Sequence, residues 1–222
     1  GVDVIEFADG LAGVARLTRG EISISDHLLI EGGGDVTLSG DALGDDVLDA
    51  NGFTDTNASF AVLADNSRIL EIEANAETTL RDLSLTGGVA TADNAAGSGG
   101  AVRAFSRLTL ERVNVVGNST QGQFAQGGGL FAFDLRLTDS AVVGNVTRGF
   151  EADGGGVAGL SIRMTNTTVA RNATTGPSAD GAGVFGDDLR LTNVTITGNS
   201  AQEPFGGGSR GGGVFSTRSL EL

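Results

Sequence analysis

From Gly127 to Asn145 the chain reads GGGLFAFDLRLTDSAVVGN, and from Gly154 to Asn172, 27 positions on, it reads GGGVAGLSIRMTNTTVARN. Leu135 and Leu137 of the first stretch become Ile162 and Met164 of the second, Val142 becomes Val169, and both stretches end on asparagine. The unit extends in both directions. Asn118, Asn145, Asn172 and Asn199 keep the same step, and so do three apolar columns: Leu108, Leu135, Ile162 and Leu189; Leu110, Leu137, Met164 and Leu191; Val115, Val142, Val169 and Ile196. Glycine blocks recur from Gly99, Gly127, Gly154, Gly181 and Gly211, their spacing slipping once by one residue and once by three. Self-similarity at a fixed period of this size marks a chain that winds into stacked, near-identical units.

Within each unit the apolar residues stand two apart, which is the period of a strand and not of a helix. Short strands separated by Gly, Asn, Asp and Ser at a constant repeat predict an all-β fold, a right-handed parallel β-helix (solenoid) with coils of about 27 residues. Three short strands per coil are expected, each pairing with its equivalent one coil away at about 4.8 Å. The asparagine column follows from the need to satisfy buried backbone groups at a corner: an inward amide bridges the coils above and below. Gly117, Gly144 and Gly198 precede three of these asparagines, where a corner asks for unusual backbone angles.

The tetrapeptides Val115-Val-Gly-Asn118, Val142-Val-Gly-Asn145, Val169-Ala-Arg-Asn172 and Ile196-Thr-Gly-Asn199, alternating with GGAV and GGGV blocks, resemble right-handed parallel β-helix repeats of the pectate-lyase-like superfamily. They are most similar to the GGA[ILV]/FxxN repeats of polymorphic outer-membrane proteins and related bacterial surface proteins. Here Val or Ile stands in place of that family's Phe. The resemblance runs from about residue 69 to the end. It implies a location outside the cell or on its surface, and it implies no particular activity.

Composition narrows the field further. The chain has 222 residues, 37 glycines, two prolines and no cysteine, so a disulfide framework and a cysteine zinc site are excluded. Its 14 basic residues are all arginine and face 28 acids, a net charge of −14, which argues against nucleic acid and anionic membranes as partners. No apolar run is long enough to span a bilayer, and Gly1-Val-Asp-Val has neither the basic start nor the apolar core of a signal peptide. Leu220-Glu-Leu222 matches Leu189-Arg-Leu191, so the chain is expected to stop in mid-coil. The strand edge Gly213–Leu222 would then invite end-to-end self-association.

The expected organisation is a single domain, 1–222: irregular first coils over 1–68, with an acidic loop at 41–66, and regular coils over 69–222. Val4-Ile-Glu-Phe7, Val14-Ala-Arg-Leu17, Glu21-Ile-Ser-Ile24, Leu28-Leu-Ile30 and Val36-Thr-Leu38 read as the first strands. The lone His27 reads as a turn or surface residue, because no catalytic partners accompany it. From Ile69 the rhythm resumes: Thr78, Leu80, Leu83 and Leu85 lie 30 before Leu108, Leu110, Val113 and Val115, and Gly88 takes the corner later held by asparagine.

The outward positions carry any ligand chemistry. Arg136, Arg163 and Arg190 form a stripe one strand spacing apart, read either as a salt-bridged row or as a platform for anionic sugars. Phe131, Phe185 and Phe215, interrupted by Ala158, are expected to point outward, either stacking on a ligand or covered by a loop. Asp153 and Asp180 should stack directly, with Asp187 and Asp188 near, and carboxylates so close need screening by water, arginine or a cation. Ca²⁺ is therefore the one cofactor to weigh, there or at Asp45 and Asp49 of the acidic loop, where oxygen ligands cluster around a glycine. Six Asn-x-Ser/Thr triplets, at Asn57, Asn118, Asn145, Asn166, Asn172 and Asn193, read as structural because three fall in the corner column. Thr147, two positions beyond Asn145, reads as exposed.

These readings converge on a structural or adhesive β-helix module of a secreted or cell-surface bacterial protein, binding a polysaccharide or a host or cell-surface protein through its lateral faces. The alternative is a polysaccharide-active or carbohydrate-binding β-helix. Against catalysis, Asp187-Asp188 is present, but the GHG string of a polygalacturonase-like hydrolase is not, and there is no lysine.

Overall fold

A computed structural model describes residues 1–44, 66–202 and 208–222. The strands wind into a parallel β-solenoid of about seven turns. Apart from one 3-10 turn at Asn94–Gly97, all described secondary structure is β. Val102–Val116, Leu130–Thr138, Val157–Thr165, Val184–Thr192 and Val214–Glu221 lie side by side in parallel. Leu135 pairs with Ile162, Ile162 with Leu189, and Leu137 with Met164, so the columns legible in the sequence are columns in space.

Each of these strands serves two faces. In Leu130–Thr138 the inward positions are Leu130 and Ala132, then Leu135 and Leu137, and the change of phase falls at Phe133, where the register against Val102–Val116 also shifts. A strand can turn its other side inward only by bending, so Phe133 and its equivalent Leu160 mark a corner and are exposed. A third face follows in Ala141–Val143, Thr168–Ala170 and Thr195–Thr197, stacked on the end of Val102–Val116. Beyond the asparagine comes a further strand that a reading of three per coil omits. Val89–Ala90, Ser119–Thr120, Val146–Thr147, Ala173–Thr174 and Ser200–Ala201 form a separate five-stranded sheet. With two residues each, these strands are too short to show alternation.

The asparagine corner is a continuous chain of hydrogen bonds. Asn118 donates its backbone N–H and its Nδ2 to Asn145 Oδ1, at 3.0 and 2.9 Å. Asn145 does the same to Asn172 (2.9 and 3.0 Å), and Asn172 to Asn199 (2.9 Å for both). Each Nδ2 also reaches a carbonyl of the preceding coil, as Asn145 does to Val115 at 3.0 Å. Gly88 gives its N–H to Asn118 Oδ1 at 2.9 Å, closing the column where no asparagine is present. Asn118, Asn145 and Asn172 have no exposed surface. The residue before each corner has positive φ: Gly87, Gly117, Gly144 and Gly198, but also Arg171 at 55°, an angle uncommon for any residue with a Cβ.

The expectation for Thr147 is overturned. It is fully buried, and its Oγ1 donates to Ala152 O at 2.5 Å. Thr120 and Thr174 repeat the bond, to Ala125 O and Ala179 O, tying the root of each connecting loop to its far end.

The first coils differ in their corners. Asp3–Glu6 pairs with Leu28–Glu31 and Gly13–Arg16 with Val36–Ser39, so the link between these two faces is six residues (7–12) in the first coil and four (32–35) in the next. From then on it shrinks to one residue of positive φ: Asp82, Arg112, Asp139, Asn166 and Asn193 in turn. Val4, Ile5, Val14 and Ile22 on these first coils are exposed, whereas the same faces further along are sealed. Gly40 and Ser67, on either side of the acidic stretch, are joined by a 3.0 Å backbone bond. Asp45 and Asp49 lie outside the described residues. His27 is an exposed turn residue that accepts the Glu77 N–H on Nδ1 at 3.0 Å.

Candidate functional site: an aromatic and acidic lateral groove

One outward column runs the length of the face that holds the phenylalanines: Glu71, Arg103, Phe131, Ala158, Phe185 and Phe215, each in register with the next. It changes character along the way. At its start Glu71 and Arg103 are ion-paired, and Arg68, itself buried, bonds Glu21 at 2.6 Å. In the middle Phe131 keeps its outward column but is buried, covered by neighbouring rings and not by a loop. Phe105 and Phe133 pack edge-on against its ring, each with centroids 6.1 Å away. At the far end Phe185 and Phe215 are half-buried and lie nearly parallel, with centroids 5.8 Å apart and 4° between ring planes.

The wall facing this aromatic pair is built by the connecting loops, which stack on one another. Phe124 donates its N–H to Phe150 O at 2.8 Å and Glu151 donates to Pro177 O at 2.9 Å. Each loop then delivers one side chain beside the glycine block: Ser98, Gln126, Asp153, Asp180 and Arg210. These form a second ladder. Asp153 Oδ1 accepts the N–H of Asp180 at 2.7 Å, and Asp180 Oδ1 accepts that of Arg210 at 2.5 Å. Gln126 gives its N–H to Ser98 Oγ at 3.0 Å and its Nε2 to Asp153 Oδ2 at 3.3 Å. The glycines that follow (Gly99, Gly127, Gly154, Gly181 and Gly211) all have φ between 60° and 72°, and this geometry reserves the position for glycine.

The two aspartates stack as their 27-residue spacing predicts, and each uses one carboxylate oxygen on the coil above. Burial pushes the Asp153 carboxyl up to about 6 against the pull of the Asp180 N–H, and the neighbouring Asp180 charge adds to the rise. Arg210 sits at the open end. Its Nε is 3.5 Å from Asp180 Oδ2 and its guanidinium carbon is 5.2 Å from the Phe215 centroid. Between ladder and aromatic pair runs a groove of about 640 Å³, lined by Phe124, Glu151, Asp153, Asp180, Arg210 and Phe215 among others.

The other candidate residues fall elsewhere. Arg136, Arg163 and Arg190 are in direct register and exposed, and each faces an acid. Asp134 takes Arg107 at 2.8 Å, Arg136 at 3.3 Å and Arg163 at 3.5 Å, while Arg190 meets Glu221 at 3.0 Å. Burial pulls the Asp134 carboxyl upward, but the hydrogen bonds from Arg107 and Arg136 hold it below the usual carboxylate range. The stripe is a salt-bridged row. Asp187 and Asp188 sit past the aromatic face and are engaged by the last coil: Asp187 by Thr217 at 2.5 Å, Asp188 by Ser219 at 2.7 Å. They do not join Asp153 and Asp180, and among the described residues no three acidic or histidine side chains gather as a cation would require.

Sequence reasoning missed Phe124, Glu151 and Arg210. Phe124 and Glu151 are 27 apart and share the same positive φ with Ser178, but the three are chemically unlike, so periodicity alone could not mark them as a column. It also missed a third ladder at the one-residue corner. Arg112 binds both Asp82 oxygens at 2.6 and 2.7 Å, Asn166 donates to Asp139 at 2.9 Å, and Asn193 to Asn166 at 2.8 Å. Asn166 and Asn193 are thus structural residues, as their triplets had suggested, though at a different corner from Asn118.

No family model, curated protein or solved structure matches this chain in comparisons with each. What stands is the class of protein, a parallel β-solenoid with an asparagine ladder.

Proposed function

We propose that the chain is a structural and adhesive module of a secreted or cell-surface protein, related to bacterial β-helix surface repeats, which holds a polysaccharide or a surface protein along its lateral groove. The observation that carries this reading is the parallel Phe185–Phe215 pair set opposite a column of carboxylates in a groove open along the coils. Aromatic rings offer apolar area at low entropic cost, and carboxylates pair with hydroxyl groups or cations, so the lining is that of a binding site. One oxygen of each ladder aspartate is committed to a backbone N–H group, which supports a rigid platform. One feature favours the rival, polysaccharide-active reading: Asp153 titrates near 6, where a general acid or base works. The acid-rich groove, however, disfavours the anionic polyuronates that a pectate-lyase-like enzyme would cut.

The test is a binding survey over immobilised polysaccharides and cell-surface preparations, run with the native chain and with Phe215→Ala. Retention that the substitution removes, with the melting temperature kept, is expected. Binding indifferent to Phe215 would overturn the groove as the adhesive face. Release of unsaturated uronate ends from a polyuronate, followed in the ultraviolet, would overturn the adhesive reading in favour of a lyase.

A further inference from the structure

The groove contains its own sample of what it holds. Arg210 is largely exposed, yet its guanidinium rests over the Phe215 ring with the Asp180 carboxylate beside it. Ring face and carboxylate together are a cation site. Two to three coils away the same residue types line the groove: Phe124, 44 % exposed and edge-on to Phe150, with Glu151 and Asp153. Among the described residues Asp153 is bonded to Gln126 and to the Asp180 N–H, and no arginine is paired with it. Among the described lining residues three carboxylates stand against one arginine, on a chain of net charge −14.

We infer that the groove binds a cationic amino-sugar chain, its ammonium groups at Glu151 and Asp153 and its ring faces against Phe124 and the Phe185–Phe215 pair. This rests on the lateral-binding reading above and specifies its ligand. A polysaccharide fits better than a basic peptide because the described backbone along the groove is already engaged. The N–H groups of Phe124, Glu151, Asp180 and Arg210 are all bonded within the solenoid, so an extended peptide would find no strand edge to pair with. A pyranose needs none: it is held through side-chain hydrogen bonds and stacking. The repeat also suits a linear polymer, since groove-lining positions recur at every coil, about 4.8 Å apart.

The experiment is calorimetric titration of the full chain with an oligosaccharide of glucosamine, its fully N-acetylated counterpart, an oligogalacturonate and an oligolysine, at a pH just above the Asp153 value. The expected result is that the free-amine sugar binds about tenfold more tightly than the acetylated one, and that the preference shrinks as salt rises. Glu151→Gln should weaken the free-amine sugar about fivefold while leaving the acetylated sugar and the melting temperature unchanged. This exposed residue has no role in the ladders, so folding is not at risk. Equal binding of both sugars, removed by Phe215→Ala, would overturn the cationic ligand while leaving the lateral groove standing. Preference for the oligogalacturonate would do the same. Oligolysine binding as tightly, with the same dependence on Glu151, would overturn the saccharide. No binding by any of the four would overturn the inference, and the polysaccharide and cell-surface survey then decides the broader reading on its own.

Discussion

Two ladders climb this solenoid at neighbouring corners, and they solve one problem with different chemistry. In the ladder from Asn118 to Asn199, every Oδ1 accepts a backbone N–H from the coil before, and the Nδ2 of Asn118, Asn145 and Asn172 carries the bond onward. In the ladder of Gln126, Asp153, Asp180 and Arg210, the carboxylate oxygens accept the N–H of the coil after. The first is neutral, made of one residue type and sealed from Asn118 to Asn172. The second is charged, partly open and changes at each rung. An amide satisfies its neighbours on both sides, so asparagine can repeat indefinitely without electrostatic cost. Stacked carboxylates cannot, and Asp153 shows the strain in its raised titration. Where a rung costs free energy and yet is kept beside a groove lined with aromatic rings, its chemistry serves something other than the coil.

If that contrast holds, the largest effect comes from breaking the neutral ladder. Asn145→Ala takes the acceptor from the Asn118 N–H and the Asn145 Nδ2 donor from the Val115 carbonyl, in a site that water does not reach, while Asn118 Nδ2 keeps only its bond to Leu85 O. At about 1–3 kcal/mol for each group left unsatisfied, the loss should be at least about 2 kcal/mol and show as a strongly lowered melting temperature. A variant that melts with the native chain would mean the corner is hydrated. Thr147→Val is a second probe of the buried corner: it strands the Ala152 carbonyl and should cost about 1–2 kcal/mol by chemical denaturation.

The charged ladder should respond in the opposite sense. The folded-state value of Asp153, about 6, lies above the ordinary 3.8, so its contribution to stability is full below about 4 and is lost as pH rises through about 6. Asp153→Asn keeps an oxygen for the Asp180 N–H and removes the titration. Above pH 6 this variant should be more stable than the native chain, by up to about 2 kcal/mol, and near pH 4 the two should melt together. Equal melting at neutral pH would show that Asp153 is solvated and that the ladders do not differ in cost.

How much of this was legible depended on whether a position repeats its chemistry. The inward columns and the asparagines repeat identity at the coil period, so fold, register and buried corner could all be read from the sequence. Gly88 was legible as a substitute, because a missing side chain still leaves its N–H to be satisfied. The short strand at Val146–Thr147 was not, since two residues carry no alternation, and Thr147 was misplaced for the same reason. The groove was half legible. Asp153 and Asp180 stood out as adjacent carboxylates and Phe185 and Phe215 as a stripe, but Phe124, Glu151 and Arg210 share only a backbone geometry with their columns. For Phe131 the choice between an open and a covered ring stayed undecided, because its cover, Phe105 and Phe133, comes from the neighbouring coil and the adjacent corner.

The corner ladder at Asp139, Asn166 and Asn193 is the smallest of these effects and the sharpest control on the comparison. Its bonds match those of the buried asparagines in length, 2.9 and 2.8 Å, and in side-chain type, yet its members are exposed. Water competes for each bond, so the net value of a rung should be about 0.5 kcal/mol. Asn166 also holds φ 51°, a conformation that asparagine tolerates better than alanine does. Asn166→Ala therefore mixes a lost bond with backbone strain, whereas Asn166→Gly relieves the strain and isolates the bond. The glycine variant is expected within about 0.5 kcal/mol of the native chain and the alanine variant about 1 kcal/mol below it, both measured by chemical denaturation. A loss at Asn166→Gly as large as that at Asn145→Ala would mean that asparagine stacking itself, and not burial, sets the worth of a ladder.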